Sequence, residues 1–186
     1  MNVIETKLPG CVVIEPAVFG DDRGFFYEGW NAQRFAEHGL PTQFVQHNVS
    51  RSQRGVLRGL HYQWPHNVQG KLVSVLEGEV YDVAVDIRRG SPTFGRWEAV
   101  ILSAQNKRQF WIPEGFAHGF AVLSERAVFS YLCTDVYVRE ADAGVAWNDA
   151  QIAVDWPISD PQLSDKDQRA PFLADIATDR LPEFVA

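Results

Sequence analysis

Residues 56–75, VLRGLHYQWPHNVQGKLVSV, carry a histidine, an arginine and a lysine (His61, Arg58 and Lys71) in a chain whose formal net charge is −7. They fall on two β-type segments joined by a Pro/Asn/Gly turn. Alternation along the first segment puts Arg58, Leu60 and Tyr62 on one face and Gly59, His61 and Gln63 on the other. An imidazole in a mixed polar and basic setting suits proton transfer, although a buried histidine bonded to backbone is the plainer use of the residue. Inverting a carbon beside a ketone needs a base on one face and an acid on the other. It also needs a group that holds the enolate oxygen between the two steps. His61 offers the base, Lys71 the cation, and Tyr131 in SYLC a phenol able to return the proton; a core or rim aromatic is the plainer use of that tyrosine. The imidazole also needs an acceptor on its other nitrogen, and several aspartates could serve; spacing does not choose among them.

The elements that must position these groups read as strand after strand. From Gln43 onward come QFVQHNVSRS, GVLRGLHYQ, GKLVSVLEGEVYDVAVDIR, FGRWEAVILS, RQFWIP, HGFAVLS and AVFSYLCTDVY, separated by turn residues. This spacing predicts a sandwich or barrel. In EVYDVAVDI, Tyr81, Val83, Val85 and Ile87 take one face and Asp82, Ala84 and Asp86 the other, the period of a half-buried strand. If the acidic face lines the barrel, its aspartates would orient neighbouring histidines or lysines. Before Gln43, CVVIE is a short strand and GDDRG a turn ahead of the aromatic run FFYEGW, where Arg23 and Glu28 read as solvated charges. Asn31 caps a helix over NAQRFAEHG that turns Phe35 and Leu40 inward and stops at Gly39. After about Asp135 one last strand is expected at residues 151–155, and LSDKDQRAPFLADI has weak helical character.

With 186 residues, 46% apolar content, six Trp and twelve Phe, the chain has the material for one sizeable core. A single domain over residues 1–186 is the expectation. The acidic balance argues against coating nucleic acid or a membrane surface, and any anionic ligand must meet local basic residues. Cys11 and Cys133 are too few for a disulfide framework and lack metal-ligand spacing, which fits a reducing compartment. No apolar run follows a basic start and no window approaches a membrane span, so a soluble cytoplasmic protein is expected.

Residues 113–118, PEGFAH, resemble the second motif of the cupins, in which a histidine lines the barrel mouth. The first cupin motif brings two histidines at alternate positions and a glutamate to a metal. Here Gln63 takes the alternate position after His61, and Glu77 and Glu79 lie past the expected glutamate. His61 and His118 alone make a poor site for iron, manganese or zinc, so no metal is expected.

Together GDDRGFFYE, FVQHNVSRS, GVLRGLHYQ, QGKLV, GEVYDVAVDIRRGSPTFGRW, IPEGFAHGF, SYLCTD, WND and LSDKD resemble the dTDP-4-dehydrorhamnose 3,5-epimerase family, over residues 9–172. The resemblance implies an all-β, cupin-type β-barrel (jelly roll) with a few short peripheral helices, free of metal and cofactor, that forms a homodimer. It implies epimerisation at C3 and C5 of dTDP-4-dehydro-6-deoxy-D-glucose to dTDP-4-dehydro-L-rhamnose, a step of dTDP-L-rhamnose synthesis; a mono-epimerase or an enzyme of another 4-keto sugar is the near alternative. A metal-dependent cupin and a non-catalytic sugar-nucleotide barrel are the alternatives from other classes. His61 matches the family's proton acceptor, Tyr131 its donor and Asp167 the carboxylate behind the histidine. Lys71 and Arg58 match positions that hold the sugar and its enolate. Arg23, Glu28, Gln46, Asn48, His118, Tyr137, Asp142 and Lys166 match contacts to the dTDP-linked 4-keto-6-deoxy sugar, the arginines suiting its diphosphate. Three positions depart from the family pattern: His47 where aspartate is frequent, Val136 where an aromatic is usual, and Asp142 where glutamate is commoner.

Overall fold

The computed structural model describes residues 1–185. Its strands are β1 (Asn2–Glu5), β2 (Val12–Glu15), β3 (Val18–Asp21), β4 (Gly24–Tyr27), β5 (Gln46–Gln53), β6 (Leu57–Gln63) and β7 (Lys71–Glu77). They continue as β8 (Glu79–Asp86), β9 (Trp97–Ser103), β10 (Gln109–Ile112), β11 (Phe116–Val122), β12 (Arg126–Cys133) and β13 (Asp142–Gly144). Two short helices join them, α1 (Ala32–Glu37) and α2 (Asp165–Gln168). A six-stranded sheet in the order β1-β2-β10-β7-β12-β5 faces a five-stranded sheet in the order β13-β6-β11-β8-β9, and β3-β4 stands apart as a hairpin. The named pairings are antiparallel, giving a cupin-like jelly roll. Among the described residues no helix is long and apolar enough to cross a membrane.

Period-2 alternation explains the layers. Val73 and Val75 of β7, Phe110 and Ile112 of β10 and Phe129 of β12 meet Val80 and Ala84 of β8 and Phe116 and Phe120 of β11 between the sheets. Phe129 is 1% exposed and stacks on Phe120 with ring centroids 4.0 Å apart; its truncation to alanine would cost about 3–5 kcal/mol. The opposite faces are covered too. Phe35 and Leu40 pack with Trp111 and Leu72 outside the six-stranded sheet. Ile152, Leu173 and Leu181 cover Val83, Val85 and Ile87 outside the five-stranded one. β8 is therefore buried on both faces, where the sequence pattern alone predicts a half-buried strand.

Helix α1 has the foreseen ends: the Asn31 side chain accepts from the backbone N–H of Gln33 and Arg34, and Gly39 is left-handed at φ 67°. The strand expected at residues 151–155 is absent. The buried Asp149 carboxylate accepts from the backbone N–H of Gln151 at 2.8 Å, of Ile152 at 3.1 Å and of Leu173 at 2.6 Å, capturing donors that a ladder would need. β13 is instead the strand that closes the edge beside β6. β1, unmarked in the sequence pattern, pairs with β2 at the edge of the other sheet.

Candidate active site

Inward positions along three neighbouring strands place one set of groups. Lys71 of β7 is the register partner of Cys133 on β12, which is in turn opposite Gln46 on β5. Two residues along, Tyr131 lies between Val73 and Asn48. From the facing sheet, His61 of β6 is opposite His118 of β11. A cavity of about 220 Å³ opens between the sheets, lined by Arg58, His61, Lys71, His118 and Tyr131 together with Ser50, Phe120 and Phe129. A larger hollow of about 520 Å³ near Lys7, Arg96 and Trp97 carries no comparable set of acid–base groups.

Strict alternation separates Arg58 from His61, yet both line the cavity. The pairing of β6 with β11 slips between His118↔His61 and Phe120↔Arg58, so three steps on β6 face two on β11. This bulge lets residues three apart share a face. Glycines permit it: a Cβ on Gly59, whose φ is 137°, would fall 2.5 Å from the Gly119 Cα, and one on Gly119 would fall 2.7 Å from the Arg58 carbonyl oxygen. Leu60 and Tyr62 then turn outward into the other core layer. Arg58 is anchored by Nε donating to the Ser52 hydroxyl at 3.0 Å.

His61 has one nitrogen committed. Its Nε2 is 2.5 Å from Oδ1 of Asp167, whose Oδ2 accepts from the Ser164 hydroxyl at 2.8 Å. Ser164 also caps α2, accepting from the Asp167 backbone N–H at 3.2 Å, so cap and carboxylate are fixed together. Burial raises the Asp167 pKa, but the hydrogen bond and charge of His61, with Ser164 and Lys166, outweigh it and hold the carboxyl below its usual value. Burial pushes His61 below 6.5 against the Asp167 hydrogen bond, and the nearby Lys166 and Lys71 charges push the same way. The imidazole is thus neutral at pH 7, and donation of Nε2–H to Asp167 leaves Nδ1 as the basic nitrogen.

His118 repeats the arrangement at greater depth. Its Nε2 lies 3.0 Å from both carboxylate oxygens of Asp82, and both side chains are buried. Burial raises the Asp82 pKa, with His118 and Lys71 opposing. Asp82 is on the acidic face of β8, which lines the barrel interior. Lys71 forms no salt bridge among the described residues, and burial lowers its pKa. Burial also raises the Tyr131 pKa, assisted by Cys133 and opposed by Arg58 and Asn48, so its phenol keeps its proton at neutral pH. A neutral base, a protonated acid and a cation around one hollow can move a proton off a carbon and return one through an enolate.

The rim holds a second group. The Tyr137 hydroxyl lies 3.2 Å from Asp142 Oδ2, and Lys166 Nζ is 2.6 Å from both Asp142 oxygens. Gln46 Oε1 accepts from the Tyr137 backbone N–H at 2.7 Å and Gln46 Nε2 donates to Asn48 Oδ1 at 3.1 Å. Among the described residues no group of three or more His, Cys, Asp and Glu side chains gathers as for a metal ion.

The family model described as dTDP-4-dehydrorhamnose 3,5-epimerase matches residues 5–175. The chain belongs to the dTDP-4-dehydrorhamnose 3,5-epimerase family. The protein of that name from Shigella flexneri is 56% identical over 168 residues, 90% of this chain and 93% of that one. A solved structure of dTDP-6-deoxy-D-glucose-3,5-epimerase from Legionella pneumophila, in complex with dTDP-4-keto-L-rhamnose, superposes with TM-score 0.96 at 57% identity, covering 100% of this chain and 99% of that one. A 3'-monoepimerase from Streptomyces bikiniensis in complex with dTDP-quinovose is more distant: 34% identity and TM-score 0.90, covering 97% of this chain and 92% of that one.

Within this 3,5-epimerase family fold, two of the residues singled out by sequence stand apart from the cavity. Arg23 is on the exposed β3-β4 hairpin, bonded to Asp21, and Glu28 just beyond pairs with Arg34 at 2.7 Å. Sequence reasoning missed Ser50, Phe120 and Phe129 as lining residues and Ser52 as a support, while Asp82 holds His118 as expected of an acidic face turned into the barrel. Alternation from Asn48, His118 and Tyr131 carries the signal for the linings, while the Ser52 support depends on a contact between sheets. His47, a departure from the family pattern, faces away from the cavity and pairs with the Ser130 hydroxyl at 2.8 Å on the outer side of the sheet. The shorter Asp142 is fully engaged by Tyr137 and Lys166.

Proposed function

We propose that this chain is a 3,5-epimerase converting dTDP-4-dehydro-6-deoxy-D-glucose to dTDP-4-dehydro-L-rhamnose in dTDP-L-rhamnose synthesis. His61 removes the proton beside the ketone through Nδ1, with Asp167 steadying the imidazolium that forms. Lys71 holds the developing enolate oxygen, and the Tyr131 hydroxyl returns a proton from the other face. The observation that carries this reading is that His61, Lys71 and Tyr131 line one cavity. Its volume of about 220 Å³ is below the roughly 300–1,000 Å³ of sites enclosing a drug-sized ligand. It suits a sugar ring, with the nucleotide lying across the rim toward Tyr137, Asp142 and Lys166.

The enzyme acts as a homodimer in the cytoplasm, each chain a single domain. Support for the dimer comes from the hairpin: Phe19, Phe25 and Phe26 are 65%, 63% and 69% exposed on it. Lys107 Nζ sits 3.6 Å from the Phe25 ring centroid, bracing the hairpin. Set against a second copy, this arm buries its aromatics and brings Arg23 and Glu28 to that copy's rim, where the Arg23 guanidinium supplies positive charge for the diphosphate. The two cysteines, both free and buried, accord with a reducing compartment.

Incubation with dTDP-4-dehydro-6-deoxy-D-glucose in heavy water tests the activity. Deuterium enters at C3 and C5 and the product has both centres inverted. Exchange at one carbon would make it a mono-epimerase, and no exchange with intact dTDP binding would make it a binding protein. Light scattering that returns a fully active monomer would overturn the dimer.

A further inference from the structure

Residues 135–138 cross the rim outside any strand, and side-chain amides take over the pairing of their backbone. Gln63 Oε1 accepts from the Val138 N–H at 2.7 Å, and Gln63 Nε2 donates to the Val136 carbonyl at 3.1 Å and to the Asn67 carbonyl. Gln46 holds the Tyr137 N–H between them at 2.7 Å, and Gln69 Nε2 donates to the Asp135 carbonyl at 2.8 Å. Gln63 is 4% exposed and is not part of the cavity lining, although it is on β6 two residues beyond His61. Two donated bonds and one accepted bond fix its amide orientation. A neutral imidazole has a single N–H and could not make the same set. The position at which a metal-binding cupin carries a second histidine is thus given over to supporting the loop.

We propose that Gln63 is a positioning residue for the nucleotide end of the ligand. By setting the backbone of residues 136–138, it holds the Tyr137 ring at the cavity mouth as a stacking surface for a nucleobase. Tyr137 is tied at both ends, its backbone N–H by Gln46, with Gln63 holding Val136 and Val138 on either side of it, and its hydroxyl by Asp142. A ring held ready in this way loses little freedom when a base stacks on it. The inference rests on the sugar-nucleotide reading above and adds to it the residue that links the catalytic strand to the nucleotide contact.

The test compares Gln63→Leu, Gln63→Glu, Tyr137→Ala and the Gln63→Leu/Tyr137→Ala pair, each checked for folding by thermal melting. Calorimetry gives the Kd of dTDP, and steady-state assays give KM and kcat for the 4-keto sugar nucleotide. Gln63→Leu raises Kd and KM about tenfold while kcat stays within about threefold. Gln63→Glu, which keeps the acceptor for Val138 and loses the donor to Val136, falls between. In the Tyr137→Ala background Gln63→Leu adds less than about twofold, because both act through one ring. A fall in kcat at unchanged KM, or the full tenfold added to Tyr137→Ala, overturns the assignment. If Gln63→Leu does not fold, Gln63→Glu carries the same comparison. A wild-type protein that neither binds dTDP nor turns over the sugar defeats the parent reading. Wild-type binding that Gln63 variants leave untouched defeats this one alone.

Discussion

His61 Nε2 lies 2.5 Å from Asp167 Oδ1 although 106 positions of chain separate the two residues. The contact exists because α2 is seated against β6, its Ser164 cap holding the other carboxylate oxygen. Orientation and tautomer of the base therefore depend on a residue outside the cavity lining. Asp167→Asn removes the charge that steadies the imidazolium and allows the ring to take the wrong tautomer. Its kcat is expected to fall about 10²- to 10⁴-fold with KM within a few-fold. Steady-state kinetics check this, and a variant with more than a tenth of wild-type kcat contradicts the role.

The acid side of the pH profile follows from the same pair. Burial lowers the His61 pKa, so the base loses its function only when pH falls below 6.5. The acid limb of kcat/KM therefore has its midpoint under pH 6.5, as an apparent value shared with Asp167. Stability has the matching sign. Unfolded His61 binds its proton near 6.5 and the folded residue only at lower pH, so its contribution is intact above 6.5 and is lost as pH falls through the folded value. A midpoint above 6.5 would mean that burial does not dominate at this imidazole.

Tyr131→Phe separates the two halves of the reaction. The phenol keeps its proton at neutral pH because burial raises its pKa, so its removal impairs proton return more than proton removal. Turnover is expected to fall about 10²-fold or more, while deuterium washes into recovered substrate faster than product forms. Mass spectrometry of quenched mixtures reads both rates. Full-rate turnover with unchanged stereochemistry would dismiss the phenol as the acid.

The His118–Asp82 pair is buried on both sides, so its loss is felt in stability as well as catalysis. Asp82→Leu leaves the His118 Nε2 without its acceptor, an expected loss of about 1–3 kcal/mol in urea unfolding. Asp82→Asn retains an acceptor oxygen and should recover most of that loss. Equal destabilisation by both substitutions would show that packing, rather than the hydrogen bond, is what Asp82 supplies.

Much of the cavity was legible because alternation is local. His61, Tyr131 and Lys71 carry the chemistry on strands whose turns and β-branched residues mark them in the sequence. The Asp82 side of β8 also follows from its period. What the sequence could not show depends on contacts between distant segments. The outer burial of β8 comes from Ile152, Leu173 and Leu181, far along the chain. The loss of the expected strand at residues 151–155 comes from one carboxylate, Asp149, which takes the nearby N–H groups of Gln151 and Ile152 while it is held by the distant N–H of Leu173. The separation of Arg23 and Glu28 from the cavity is likewise set by where the hairpin stands, which residue types do not encode.

The shared face of Arg58 and His61 is the point at which alternation fails, and Gly119 is the residue that permits it. A methyl there would meet the Arg58 carbonyl oxygen at 2.7 Å and the Gly59 Cα at 2.9 Å, both backbone atoms with little room to move. Gly119→Ala must therefore push β6 away from β11 or straighten the bulge, and either change rotates His61 relative to Arg58. A loss of about 1–3 kcal/mol in stability is expected from the overpacking, and a displacement near 1 Å at the base can lower kcat about 10²-fold. Gly144→Ala serves as a control on the other side of β6, where the added carbon comes no closer than 3.0 Å to the Leu60 carbonyl oxygen; its effect on kcat should be smaller. Urea unfolding and steady-state kinetics on the two variants decide the matter. If Gly119→Ala is as active as the wild type, the bulge does not set the geometry of the base.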